Sequence, residues 1–413
     1  MKSLMLKSLL TPVFSRVALV AVLMAMTASC SKMPEVERFS MYDGEHMKQV
    51  RRELRRGFSS YRPAYTRLVD DANSALKHEG WSVTTKPDRI AGVMLHEYAS
   101  VPDGWAPNPL LPNGLPWHRD DKNTSLLNRY DRLQLEALAN ALRSLSLAWY
   151  FTGDRPYAVK AGELLRIWFL DTETAMMPHL EYAHSIPGRT GGRYTGLRDG
   201  MMLTGLLDAI IIAEAAGTLK RSEVKELREW FGFYLDWLLL SSQGAEATAF
   251  PGYDAVVFHF QAASIAHFLE LPEVSVVQLE QAFELLPQLF LDDGRPSTSA
   301  SRPAQWEESM AAAGLLVELT MLSGRLGYDV MDVNDANGQL LFRAIDHLSQ
   351  NVASDLSIQK PASLLANNSP MPMGLLLRSA AKLFDHPEFK IVWSEAFSSP
   401  FKADWRLLVY PEP

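Results

Sequence analysis

The chain has 413 residues, 47% of them hydrophobic, 21% charged and 10% aromatic, which is ample apolar material for a large buried core and carries no low-complexity bias. Lys+Arg 40 against Asp+Glu 48 leave a net charge of −8; this argues against a general nucleic-acid binder, because phosphate recognition needs a positive excess. One cysteine excludes an internal disulfide and any multi-cysteine zinc or iron–sulfur site.

Residues 1–30 read as an export signal. Lys2, Lys7 and Arg16 form a positive leader, and Val17 to Met26 is an unbroken apolar run too short to span a bilayer. Thr27, Ala28 and Ser29 lead into Cys30, the position at which a bacterial lipoprotein is cleaved and acylated. The arrangement resembles a lipobox with Thr27 where leucine is usual; ordinary secretion is the alternative. Ser31 supplies no acidic retention signal, so the expected location is the periplasm, with an outer-membrane lipid anchor at Cys30. Residues 31–44 then serve as a linker, and one domain is expected over 45–413.

From Glu45 to Lys77 the pattern is polar and helical, with Arg51, Arg52, Arg55 and Arg56 expected on a solvated face. Between Trp81 and Asn128 six prolines, from Pro87 to Pro116, forbid a long helix, and Tyr98, Trp105 and Trp117 are scattered among them. A long ordered loop with exposed aromatics is expected there. Asp131 with Gln134 resembles a capping box, followed by Leu138, Ala141, Leu142, Leu145, Ala148 and Trp149 on one face. A helix opened by Pro156 runs towards Trp168. Further helices are expected near Gly196–Ala216, Ser222–Leu240, Asp254–Leu269, Val274–Leu286, Gln305–Leu326, Asp335–Asn351 and Met371–Phe384. Strand alternation is almost absent, so the fold class is all-α: a bundle, a solenoid or an α/α toroid.

Chemistry must then come from the connectors. The segment Pro178 to Tyr194 joins two helices through a loop rich in glycine and arginine, and Arg189 and Arg193 there can meet an anionic ligand. A second connector ends in Phe250-Pro-Gly-Tyr253-Asp254 and opens the helix that carries His259. A third, Asp292 to Arg302, is polar enough to be exposed.

The run from Ser82 to Leu269 resembles the alginate lyase superfamily of polysaccharide lyases. The resemblance is carried by His96-Glu97-Tyr98, by Pro102-Asp-Gly-Trp105 leading to Gly114-Leu115-Pro116, and by Tyr130-Asp131-Arg132. It continues through Tyr150-Phe-Thr-Gly153-Asp154, Leu164-Leu-Arg166-Ile-Trp168, the loop Pro178 to Arg193, and Trp230 to Trp237. It implies an incomplete α/α toroid whose groove binds an acidic polysaccharide and cleaves it at a uronic acid by β-elimination, with no metal or organic cofactor. Such a reaction needs donors that stabilise charge on the uronate carboxylate, a base for the C5 proton, and an acid for the leaving oxygen.

The family's core is an Asn-Asn-His run opening a helix, followed downstream by an Arg and a Tyr. Here Gly252-Tyr253-Asp254 stands at the first place, Phe258 follows a turn on, Arg302 matches the arginine, and Glu307-Glu308 replaces the final His-Tyr pair. Two functions therefore compete. In one, a rebuilt lyase site uses the Tyr253 phenol, His259 or His184 as base, and Arg302 with Arg193 on the carboxylate. In the other, a non-catalytic descendant binds a glycan during polysaccharide export or envelope maintenance. A carboxylate pair, Asp254 with Glu307 or Glu308, offers hydrolysis instead, and a purely structural envelope role is a further possibility. Asp254 is also suited to cap its helix. His96, Tyr98, Trp105 and His184 are expected to line the groove.

Overall fold

About 63% of the protein is helical, with almost no strand. In the computed structural model, residues 35–36, 38–57, 59–120, 127–297, 303–330, 332, 335–354 and 373–411 are described. Among the described residues the α-helices of six residues or more are α1 (Gly44–Arg55), α2 (Arg62–Ala75), α3 (Arg132–Thr152), α4 (Arg155–Leu165), α5 (Leu207–Ala215), α6 (Arg221–Leu240), α7 (Ser242–Thr248), α8 (Tyr253–Phe268), α9 (Pro272–Glu284), α10 (Pro303–Leu326), α11 (Ala336–Ser354), α12 (Met373–Leu383) and α13 (Pro387–Val392). They form an incomplete α/α toroid. Among the described residues the strands are one short hairpin, Trp105–Ala106 against His118–Arg119. No described helix is long and apolar enough to cross a membrane.

Burial explains the order of layers. Helix α8 is buried from Ala255 to Phe268 without a break, and a helix apolar on every side belongs in the middle of the protein. It packs against α6, α9 and α10. Trp149, Trp168 and Trp230 are buried as their helical spacing predicts, and the Trp230 indole N–H donates to the Met176 carbonyl at 2.7 Å. Trp237 is only half-buried and donates to Glu181 Oε2 at 3.2 Å.

Several expectations are corrected. The 81–128 loop is ordered where described, but its aromatics are not displayed: Tyr98 and Trp117 are buried, and Trp117 packs with Val101, Tyr130 and Ile186, with Trp105 against the cluster. Asp131 precedes α3 but makes no capping bond. It is drawn instead to Lys86 Nζ at 2.9 Å and to the Ala99 N–H at 2.9 Å, because a buried carboxylate is better served by a cation than by an exposed turn. Arg51 leaves the solvated face and lies over the Tyr150 ring at 4.8 Å. The helix expected over Gly196–Ala216 is broken into a 3-10 turn, Tyr194–Gly200, a short helical turn and α5.

The stretch Val36 to Asp43, expected within a linker, is part of the body. Asp208 at the start of α5 accepts from the backbone N–H groups of Ser40, Met41 and Tyr42 at 2.5, 2.8 and 2.8 Å, and Val36, Phe39 and Met41 are buried. Residues Val36–Pro413 form one compact unit. The C-terminal segment closes over the same region: the Asp43 N–H donates to the Val409 carbonyl at 3.2 Å, and Arg378 donates to the carbonyls of Tyr410 and Pro411.

Glu318 on α10 is buried beneath this closure and accepts from the Tyr410 hydroxyl. Burial pushes its carboxyl up to about 7, against the opposing pull of Tyr410, Arg325 and Arg406, while Asp208 raises it further. The folded protein therefore holds a proton that the unfolded chain releases near pH 4.5, and this group's contribution to stability falls as pH rises from 4.5 to 7. Glu318→Gln, which keeps an acceptor for Tyr410, is expected to match wild type near pH 4.5 and exceed it by about 3 kcal/mol at pH 8. Urea unfolding at the two pH values reads the difference.

Candidate active site

The glycines around Tyr194–Gly200 dictate where the functional side chains fall. A Cβ on Gly200 would stand 2.0 Å from Gln261 Oε1 and 2.3 Å from the Tyr234 hydroxyl, so only glycine lets the turn press against α8. Gln261 straps it there, donating to the Leu197 carbonyl at 2.8 Å and accepting from Tyr234 at 2.9 Å. Arg198 and Asp199, between these anchors, point to two neighbouring networks.

Asp199, 2% exposed, is the centre of the first. Its Oδ2 accepts from the Tyr98 hydroxyl at 3.0 Å and from Ser100 Oγ at 2.6 Å. Its Oδ1 faces Arg132 Nε at 3.4 Å and His184 Nε2 at 3.6 Å. Burial opposes ionisation, but His184, Arg132 and Ser100 outweigh it and hold the carboxyl down at about 2. His184 adopts φ 54°, a left-handed conformation uncommon outside glycine. It is fixed there by its N–H on Ser100 Oγ at 3.0 Å and by Nδ1 against Thr195 Oγ1 at 3.2 Å. Its Nε2 is enclosed and makes no hydrogen bond among the described residues.

Arg198 is the centre of the second. It grips Asp254 with two bonds, Nε–Oδ1 at 2.6 Å and Nη2–Oδ2 at 2.8 Å, and reaches Glu308 Oε1 with Nη2 at 2.9 Å. Its guanidinium lies 5.0 Å above the Tyr253 ring, within cation–π range. Those partners come from the first turn of α8 and the second turn of α10, so one arginine joins three chain segments. Burial works against the Arg198 charge, but the bonds to Asp254 and the field of Glu308 raise its pKa. Burial pushes the Tyr253 phenol up to about 12, although Arg198 pulls the other way; the hydroxyl keeps its proton at neutral pH and has no hydrogen-bond partner among the described residues. Arg132 and Arg198, with Asp199, line one cavity of about 240 Å³.

The expected site residues divide clearly. Tyr253 and Asp254 meet at Arg198. Tyr98 and His184 support the site from beneath through Asp199 and are buried rather than lining a groove. His259 does not join: it is buried and its Nδ1 meets Gln278 Oε1 on α9 at 2.9 Å, since five residues along a helix carry it well round from the face of Asp254. Burial lowers its pKa, as suits a neutral packed imidazole. His96 is half-buried with Nδ1 2.7 Å from the Ala175 carbonyl, an anchor for its loop. Arg189 is exposed, donates to the Trp117 carbonyl at 2.6 Å and lies 5.4 Å over the half-buried Trp105 ring. Arg193 is half-buried, and its guanidinium has no partner among the described residues. Arg302 and Cys30 lie outside the described residues. Of the two glutamates at the start of α10, Glu308 faces Arg198. Arg198, Asp199 and Arg132 were not singled out as site residues from the sequence; the available signal was an Arg-Asp pair between Gly196 and Gly200, and Arg132 within the family-like Tyr130–Arg132 run. Among the described residues no group of three or more His, Cys, Asp or Glu is arranged to hold a metal ion.

The alginate lyase family model matches residues 82–358, more than half of the chain, and the chain belongs to that family. It is similar to the crystal structure of an alginate lyase from Bacteroides ovatus, at 25% identity and a TM-score of 0.79, over 91% of this chain and 99% of that one. Alginate lyase A1-III from Sphingomonas species A1 is matched at 15% identity and a TM-score of 0.49, over 88% of this chain and 94% of that one. No curated protein matches the chain significantly.

Proposed function

We propose that the protein is a polysaccharide lyase that cleaves a uronate-containing polysaccharide by β-elimination in the periplasm, held at the outer membrane through Cys30. Family membership supports the reaction class. The observation that carries the reading is the gathering of Tyr253, Asp254 and Glu308 around Arg198 beside a cavity that Arg132 shares. Guanidinium groups there can meet the uronate carboxylate and stabilise the charge that develops when C5 loses its proton. Glu308, the more exposed of the two acids on Arg198, is suited to accept that proton. Tyr253, a phenol that keeps its hydrogen, is suited to give one to the departing glycosidic oxygen. Arg193 and Arg302 remain candidates for the carboxylate.

A second reading rests on one feature of the same cluster. Arg198 already neutralises two carboxylates, which leaves less of its charge for a uronate and favours a glycan-binding protein of polysaccharide export or envelope maintenance that has lost cleavage.

The mature protein, mixed with a panel of polyuronates, is expected to raise absorbance in the unsaturated-uronate band on at least one. Tyr253→Phe is expected to lower kcat by about 100-fold or more with little change in KM, as loss of a general acid predicts. Binding without any absorbance rise would support the second reading.

A further inference from the structure

The cavity shared by Arg132 and Arg198 has a closed far end. Helix α3 lines it with a single stripe, Arg132, Glu136, Asn140 and Arg143, at the spacing that puts residues on one helix face. Exposure is graded along it: the side chains of Arg132 and Arg198 are 32% and 33% exposed, whereas Glu318 and Tyr410 at the other side are buried. The far wall is made by the two terminal segments, tied to each other and to the body by the Asp208, Val409 and Arg378 bonds already described and by His46 Nε2 on the Leu407 carbonyl at 3.0 Å. Where Trp405 meets Arg143, the guanidinium lies 4.3 Å over the indole ring. These two residues and Asn140 also line a larger groove on the other side. They are thus a partition one side chain thick.

Arg143 has a distinctive state. It donates to Asn140 Oδ1 at 2.6 Å and rests on Trp405; Asp404 and Asp71 act on its charge from farther off, but among the described residues no carboxylate makes an ion pair with it. A half-buried guanidinium with no carboxylate bonded to it can receive one from a ligand, and Trp405, which also lines the cavity, offers apolar surface to a sugar ring. The volume, about 240 Å³, is below the roughly 300–1,000 Å³ of pockets for drug-sized ligands, so it suits a single ring rather than a continuing chain.

We propose that this cavity is a terminal subsite, in which Arg143 meets the carboxylate of the last sugar of an acidic polysaccharide and the Arg143–Trp405 partition stops the chain, so that the protein engages its substrate from an end. The proposal deepens the lyase reading and rests on it for the identity of the sugar.

The test is calorimetric titration with a saturated uronate trisaccharide, unlabelled or carrying a bulky fluorophore at one end or the other. The unlabelled trisaccharide is expected to bind, and one labelled form is expected to bind at least tenfold more weakly while the other is unaffected. Arg143→Gln is expected to weaken the unlabelled ligand tenfold or more, with thermal melting as the control for folding. Trp405→Ala, by opening the partition into the outer groove, is expected to restore binding of the rejected form. Equal binding of both labelled forms to wild-type protein, or no binding of the trisaccharide, overturns the terminal subsite, and neither result needs a variant to fold. The lyase reading fails separately, when no polyuronate yields an unsaturated product.

Discussion

Asp199→Ala is expected to destabilise the protein by about 3–5 kcal/mol, the range for breaking a buried charge network, and to remove activity with it. The residue accepts from Tyr98 and Ser100 and faces Arg132 and His184. Its loss strands two buried hydroxyl donors and leaves the Arg132 guanidinium without its buried counter-charge. Because Tyr98, Arg132 and His184 come from three separate segments, the site they frame loses its common anchor. Asp199→Asn separates charge from hydrogen bonding, since the amide oxygen still accepts from Tyr98 or Ser100. The wild-type carboxyl, held at about 2, contributes stability above the unfolded value near 3.8 and loses it as pH falls through 2. The asparagine variant is therefore expected to lack that part of the acid limb, worth about 2 kcal/mol. Acid unfolding followed by circular dichroism, alongside turnover of a polyuronate, checks both statements.

Lys86→Met is the second large effect, and it acts at a distance from the proposed chemistry. Lys86 Nζ, its side chain 1% exposed, meets Asp131 at 2.9 Å and donates to the carbonyls of Val83, Leu95 and Glu97. Burial lowers the lysine pKa, and burial pushes Asp131 up to about 6 despite the lysine beside it. Removing the cation leaves a carboxylate in a dry site with one backbone N–H, a loss of about 3–5 kcal/mol. The loop holding Tyr98 and Ser100 is expected to loosen with it, which limited proteolysis reads as new cleavage between 83 and 99. Adding Asp131→Leu is expected to recover much of the loss in denaturant unfolding, since an apolar replacement of both partners removes the unpaired charge.

The two networks show which features of a sequence are readable and which are not. The helices followed from apolar spacing, and Trp149, Trp168 and Trp230 fell in the core because period and burial agree. Family resemblance set Tyr253, Asp254 and the Glu307-Glu308 pair at the expected catalytic positions, and in the fold Asp254 and Glu308 meet on Arg198. Arg198 itself was hidden, because the apolar pattern of the following residues suggested a continuous helix. Close approach of Gly200 to Gln261 and Tyr234 breaks that helix, and such an approach depends on a side chain 61 positions away. His259 shows the converse. Its residue type suits catalysis, but only its neighbour Gln278 decides that it faces the core. Tyr98 and Trp117 were expected at the surface of a proline-rich loop; they are buried because the segment Tyr182 to Pro187 folds over it, with bonds from Ser100, Ser185 and Trp117 to backbone carbonyls.

The most direct test of the central claim is cleavage of a polyuronate in water enriched in heavy oxygen, with the products weighed by mass spectrometry. Elimination breaks the glycosidic bond without adding water, so the account predicts one product with a new double bond, lighter than its hydrolytic counterpart by the elements of water, and no heavy oxygen beyond the slow exchange of the reducing-end hemiacetal. Saturated products that together gain one water per bond cleaved, with no double bond in either, would contradict it, and would assign Asp254 and Glu308 to hydrolysis.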